Sequence, residues 1–531
     1  MNKIQNPILK GFNPDPSICR AGEDYYIATS TFEWFPGIQI HHSKDLKNWN
    51  LKYRPLNRIS QLDMKGNPDS CGVWAPCLTY NDNIFWLIYT DVKSYSGIWK
   101  DTHNYLVTCD EIDGEWSEPI YLNSSGFDPS LFHDDDGKKY LVNMVWDYRE
   151  DKHPFYGISI QEYSHEERKL VGKSEIIFKG SPIQSVEGPH VYKVNGYYYL
   201  MVAEGCTEYN HAVTVARSKN LYGPYEIHPD NPIMSTVNNP KNPLQKAGHG
   251  SLVCTHTNEW YMAHLIGRPL TERGYCPLGR ETAIEKIEWR NDWPYVVGGS
   301  EPQLTIEMPK TEEYRWDNNY NEIDNFDSNK LNINFQTLRV PLGEDIISLT
   351  DRPGYLRIHG RESLTSKFTQ ALVARRWQSF KFTSQIGVEF NPNTFQQLAG
   401  IVCYYNTENW IYLFITLDEE VNKRRIGIIH NDTMKFKEYY LDEKIYIDND
   451  IKQVHFKVDV NYQEIKLAYS TDNKEWKYFD EIFDANQLSD DHVSRNTENG
   501  FFTGAFVGMC CQDLSGENNY ADFDYFMYRE L

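Results

Sequence analysis

No apolar run in this sequence approaches the roughly 18 residues that a membrane-crossing helix needs. The opening segment, MNKIQNPILKGFNPDPS, has neither the apolar core nor the small-residue cleavage site of a secretion signal. Cysteine is sparse, ten in 531 residues, with no CxxC pair and no Cys/His spacing of a zinc site. Cys510 and Cys511 are chain neighbours, a poor geometry for bonding each other, so reduced thiols in a cytoplasmic protein are expected. Basic residues are in deficit: 53 Lys and Arg against 75 Asp and Glu leave a net charge of −22. That field repels polyanions and argues against nucleic acid and anionic membranes as partners. Convincing amphipathic helices are scarce as well. Aromatics are what the chain has in plenty, with 14 Trp, 37 Tyr and 25 Phe. Their faces suit the C–H faces of a neutral ligand, although their commonest use is to fill a core.

Short runs rich in Tyr, Val, Ile, Phe and Trp recur between Gly, Asn and Asp turns, which is a strand pattern. Five aromatic strands stand out, at Tyr25–Ala28, Phe85–Ile88, Lys139–Val142, Tyr198–Met201 and Trp260–Ala263. A short motif precedes each: Asp15-Pro16-Ser17, Trp74-Ala75-Pro76, Asp128-Pro129-Ser130, Glu187-Gly188-Pro189 and His249-Gly250-Ser251. The motifs start 59, 54, 59 and 62 residues apart. A period near 60 with about four strands per unit predicts a β-propeller. Residues 1–305 are therefore expected to form five blades, with Asn195-Gly196 turning a hairpin inside one of them. The polar stretch 306–325 breaks the period and reads as a linker. Strands continue over 326–531 without the repeat, among them Ala371–Arg375, Ile401–Tyr405 and Phe501–Gly508, so a β-sandwich is expected there.

Equivalent positions in a propeller share radius and depth. Asp15, Trp74, Asp128, Glu187 and His249 would then meet at one mouth of the channel. Taken singly, an Asp-Pro is ordinarily a turn and a lone histidine is ordinarily structural; their shared phase favours a site. Asp128 and Glu187 fall on neighbouring blades, so the charge of one would keep the other protonated. Glu187 would then act as general acid, Asp15 across the channel as the base that activates water, and Asp128 as modulator of the acid. Two carboxyls roughly 6.5–9.5 Å apart leave room for that water and imply inversion at a glycosidic carbon. His249 could bind a hydroxyl or support a hydrated divalent cation at the channel centre. Phe32 and Trp146 follow inner strands and are expected on the pocket wall or in plain packing. Arg280 could fork onto hydroxyls or a carboxylate.

NPDPS at 13–17, GVWAP at 72–76, FDPSLF at 127–132, VEGPH at 186–190, AGHGS at 247–251 and PLGRETA at 277–283 together resemble glycoside hydrolase family 43. LVARRWQSF at 372–380, GFFTGAFVG at 500–508 and ADFDYF at 521–526 extend the resemblance to the sandwich of its two-domain β-xylosidases. The resemblance implies release of xylose from the non-reducing end of β-1,4-xylo-oligosaccharides, with inversion and with side activity on α-L-arabinofuranosides. It implies Asp15 as base, Asp128 as modulator and Glu187 as acid, and sugar contacts from Phe32, Trp74, Trp146, His249 and Arg280. An aromatic of a sandwich loop, Phe501 or Phe502, would close the pocket. In Ala203–Thr207 the family more often has a second glycine where Cys206 stands, so Cys206 and Thr207 become candidates for fine substrate preference. No cofactor is implied beyond a calcium ion held through water near His249, and relatives suggest a homodimer or tetramer.

Two other readings compete. A catalytically silent sugar-binding propeller shares the aromatic pocket, but binding alone has no need for a separated acid and base. An internally cleaving arabinanase or xylanase needs an open channel, which the attached sandwich disfavours. A phosphorolytic propeller is disfavoured because the sequence shows no basic cluster for phosphate.

Overall fold

The computed structural model describes residues 3–316, 322–495 and 500–531. Five antiparallel sheets of four or five strands follow one another around a ring. Their first strands are Ser17–Ala21, Gly72–Asn81, Ser130–His133, Glu187–Val194 and Gln245–Cys254. These lie side by side around the channel: Ser17 Oγ accepts from the Leu78 amide at 3.0 Å, and Ser251 Oγ accepts from the Ile18 amide at 3.1 Å. Each expected aromatic strand is the second strand of its blade. Asn195 and Gly196 both take positive φ, 50° and 74°, between Val194 and Tyr197, the two-residue turn whose twist matches its strands.

Closure of the ring was not read from the sequence. Lys3–Gln5 pairs antiparallel with Thr305–Glu307, outside any blade. Asn6 then ties the segment leading into the first blade to the fifth blade: its side chain accepts from the Ile284 amide and donates to the Ile284 carbonyl, both at 2.9 Å. The linker expected over 306–325 thus begins inside this ribbon, and Ile323–Asp324 already pairs with the last strand of the sandwich. Between them, Lys310 and Tyr314 donate their amides to Glu259 and Asp45 of the propeller. Residues 317–321 of that linker lie outside the described residues.

The C-terminal half is a sandwich of an eight-stranded and a seven-stranded sheet. Alternate residues of the strands Leu372–Arg376, Gln397–Asn406 and Asn409–Asp418 serve two cores. Val373, Ile401 and Leu413 face the opposite sheet. Leu372, Val402 and Tyr412 face the propeller, packing in one cluster with Phe12, Phe32 and Trp34. A sheet buried on both faces reads as continuous apolar runs rather than as alternation. At the centre of the joint Trp34 stacks on Phe506 at 3.6 Å between ring centroids. The strand Thr337–Leu338 also pairs directly with Trp34–Phe35 of the propeller. Among the described residues helix is confined to Asp490–Arg495 and a single 3₁₀ turn, Ala485–Gln487.

One expected strand moves. Phe501–Gly508 begins its sheet pairing only at Phe506. Its first residues leave the sheet because their backbone groups pair across the joint: Phe502 N donates to Ser70 Oγ at 3.1 Å and Ala505 N donates to the Pro277 carbonyl at 2.9 Å. The loop lies against Gly279, where a β-carbon would come within 2.7 Å of the Thr503 carbonyl, and φ there is +72°. Glycine meets both demands.

Candidate active site

A common backbone kink sets the pocket. Asp15, Asp128 and His249 adopt φ of 54°, 53° and 51°, a left-handed conformation rare for non-glycine residues, and Gly188 beside Glu187 does so at 57°. In the second blade a bulge between Trp74 and Cys77 takes the place of the kink. The five repeat positions converge on one cavity of about 260 Å³ at the channel mouth, together with Phe32, Trp146, Cys206, Thr207, Arg280 and Phe502. Phe501 does not reach it; its ring is buried in the sandwich core. Of the two adjacent phenylalanines, Phe502 faces the pocket because the loop turns there to bond Ser70 and Arg280.

The carboxylates have different surroundings. Asp15 accepts from Ser30 Oγ at 2.6 Å and from Arg280 Nη1 at 2.9 Å. Arg280 is buried and also donates to Thr207 Oγ1 and to the Phe502 carbonyl, each at 3.0 Å. It thereby ties the base candidate to the closing loop. Asp128 accepts the Gly188 amide at 3.0 Å. Burial raises the pKa of both Asp128 and Glu187, and each neighbouring carboxylate adds to the rise. Gly188 N–H stabilises the charged form of Asp128, and among the described residues no hydrogen bond does the same for Glu187. Of the two, Glu187 therefore keeps its proton to higher pH.

The walls are aromatic. Trp74 lies 5.3 Å from Phe127, 5.6 Å from Phe502 and 6.0 Å from Phe32, centroid to centroid. Its indole N–H is spent on the Ser70 carbonyl at 2.8 Å, so the ring offers a face and no donor. Tyr95, Lys100, Phe127, Phe155 and His211 line the cavity as well and were not anticipated. Phe127 sits inside the FDPSLF motif and was findable there. Lys100 comes from an irregular loop and is held by its surroundings, with Nζ 4.2 Å from the Trp146 ring centre and 2.8 Å from the Tyr95 carbonyl.

His249 is buried, and burial lowers its pKa, so the ring is neutral near pH 7. Among the described residues no group of three His, Cys, Asp or Glu could hold a metal ion. Calcium wants six to eight oxygens, whereas the neighbours of His249 include the imidazole of His190 at 6.4 Å between ring centroids. The residues present do not fit a cation held by the protein itself.

A pocket of this kind, three carboxylates in unlike surroundings within aromatic walls at a propeller mouth, belongs to a glycoside hydrolase. The model of the glycosyl hydrolases family 43 matches residues 4–294, and that of the β-xylosidase C-terminal concanavalin A-like domain matches residues 323–529. The chain belongs to glycosyl hydrolase family 43. It is 58% identical over 536 residues to a β-xylosidase of Bacillus subtilis (strain 168), covering 99% of this chain and 100% of that one. It is 48% identical over 536 residues to the xylosidase/arabinosidase 43B of Humicola insolens, covering 100% of this chain and 98% of that one. A crystal structure of xylan β-1,4-xylosidase from Bacillus halodurans C-125 superposes with a TM-score of 0.96 at 52% identity, covering 99% of this chain and 100% of that one.

Proposed function

We propose that the chain is an exo-acting, inverting β-xylosidase that removes xylose from the non-reducing end of β-1,4-xylo-oligosaccharides, with α-L-arabinofuranosidase side activity. The observation that carries this reading is the contrast between two carboxyls in one pocket. Asp15 is held by two donors, while Glu187 is surrounded by negative neighbours and burial. Glu187 gives its proton to the glycosidic oxygen as the C1–O bond breaks. Asp15 takes a proton from water, whose oxygen bonds to C1 from the opposite face, so the anomeric configuration inverts. Asp128 keeps the proton on Glu187 before each turnover. The aromatic walls take up the faces of the sugar ring, and Arg280 with Thr207 meets its hydroxyls. The name of the Bacillus relative supports xylose as the glycone, and those of the Humicola xylosidase/arabinosidase and of a Bacteroides ovatus α-L-arabinofuranosidase support arabinose as the alternative.

In this reading residues 1–305 form the catalytic unit and residues 326–531 supply the closing loop through Phe502. A pocket closed on that side admits a chain end and refuses a chain middle. Reducing-end-labelled xylotetraose tests it: labelled trimer, dimer and xylose should appear in that order. Labelled dimer before trimer would indicate internal cleavage and overturn exo action. The free thiols at all ten cysteines support a reducing, cytoplasmic setting, where short imported oligosaccharides are the substrate. Assembly as a homodimer or tetramer is part of the reading, and light scattering on the eluted protein decides it.

Two results follow from the pocket. Phe502→Ala removes one wall of the aromatic box while leaving the backbone bonds to Ser70 and Arg280, so KM for xylobiose should rise roughly tenfold, with a smaller change in kcat. Steady-state kinetics that leave KM unchanged would remove Phe502 from the substrate site. Asp128→Asn takes away the negative charge that holds the proton on Glu187. An acid must be protonated to act, so the alkaline limb of kcat/KM should move to lower pH, by about one pH unit. An unmoved or raised limb would contradict the role of Asp128.

A further inference from the structure

A second cavity is larger than the catalytic one. A cleft of about 700 Å³ lies in the joint between the first blade and the sandwich, and its lining includes Arg54, Arg375, Arg376 and His41. The four side chains come from three separate segments, which is why no basic cluster is visible along the chain. All four residues are buried, between 5% and 7% exposed.

Arg375 and Arg376 lie over aromatic rings, Tyr528 at 4.0 Å and Phe506 at 5.2 Å, but the cluster meets no counter-charge among the described residues. Among the described residues no carboxylate oxygen lies within 4.0 Å of Arg54, Arg375 or Arg376. The one acidic residue of the lining, Glu530, is 40% exposed in its side chain and pairs with Lys10 at 3.4 Å. Arg54 Nη2 and Arg376 Nη1 converge instead on one neutral oxygen, Gln39 Oε1, at 2.7 and 2.9 Å. Their remaining bonds go to the carbonyls of Ile333, Phe335 and Phe12 and to the side chain of Gln336, all neutral acceptors. Arg375 Nη2 meets the amide oxygen of Gln378 at 2.8 Å. Among the described residues four buried nitrogens have no hydrogen-bond partner: Arg54 Nε, Arg375 Nε, Arg376 Nη2 and His41 Nδ1.

Buried charges are ordinarily paired, and an unpaired one is costly. Burial pushes the Arg54 guanidinium down to about 9, and burial together with the charge of Arg54 pushes Arg376 well below its usual value. A guanidinium keeps its proton in proteins, so relief comes from a counter-ion. Forked N–H groups match the oxygens of phosphate and carboxylate in particular. We propose that this cleft is a binding site for a small oxyanion, held by Arg54, Arg376 and His41, with Arg375 on the opposite face of its strand and outside the set. The site bridges the two domains, since Arg54 of the propeller bonds the sandwich side and Arg376 of the sandwich bonds the Phe12 carbonyl, three residues before Asp15. It is separate from the catalytic pocket and independent of the glycosidase reading.

Calorimetry of the intact protein with inorganic phosphate tests the proposal, with D-glucuronate as the carboxylate probe and xylose present in a parallel run to fill the catalytic pocket. Saturable binding of one phosphate or one glucuronate per chain is expected, unchanged by xylose, and the tighter of the two identifies the oxyanion class. Arg54→Gln should weaken it at least about tenfold. His41→Gln, which replaces a ring whose Nδ1 has no partner among the described residues, should weaken it too and guards against misfolding of the first variant. No saturable heat from either probe at about 10 mM, displacement by xylose, or full affinity in a folded Arg54→Gln or His41→Gln protein would overturn it.

Discussion

Glu187→Gln should lower kcat/KM for xylobiose about a thousandfold, within the range expected for loss of a general acid, and lower it less than about tenfold for dinitrophenyl β-xyloside. The difference comes from the leaving group. A sugar alkoxide is a strong base and cannot depart without a proton, whereas dinitrophenolate departs unaided. Glutamine preserves the size and most of the packing of Glu187 but has no acidic proton. The surroundings make that proton available: burial and the charges of Asp128 and Asp15 raise the Glu187 pKa, against the smaller opposing effects of Arg280 and Lys100. Equal losses on both substrates would show that Glu187 does something other than donate to the leaving group.

Asp15→Asn should fail in a complementary way, losing about a thousandfold or more on both substrates. Activating water is required whatever group departs, so a better leaving group brings no rescue. Asparagine can still accept from Ser30, but it cannot take a proton from water. It also leaves Arg280 without its 2.9 Å carboxylate partner. Because a displaced Arg280 would loosen Thr207 and the Phe502 carbonyl too, the melting temperature and xylose affinity of the variant should be measured beside its rate. Near-normal xylose binding with lost turnover is the expected combination. Activity restored on the dinitrophenyl substrate would reverse the assignment of acid and base.

How far these residues were legible in the sequence depended on whether their neighbours in space were also repeats in the chain. The blades were readable because each begins its inner strand with one short motif, and three of those motifs share the same left-handed kink at Asp15, Asp128 and His249. Contacts set by a single long-range meeting were not readable. The ribbon of Lys3–Gln5 with Thr305–Glu307 is three residues long on each side and has no pattern to announce it. Lys100 reaches the pocket from an irregular loop. The start of the strand at Phe506, not Phe501, follows from hydrogen bonds to Ser70 and Pro277 in the other domain. Arg54 and Arg376 look like ordinary surface arginines until folding brings both onto Gln39. The double-sided burial of the sandwich strands had a visible sign in their continuous apolar runs, which alternation alone does not explain.

The most direct test of the account is the anomer formed first. Proton NMR of xylobiose during hydrolysis should show α-xylose appearing ahead of mutarotation, because water attacks C1 from the face opposite the departing oxygen. β-Xylose as the first product would require a second displacement at C1, and it would contradict the pairing of Asp15 with water and of Glu187 with the leaving group.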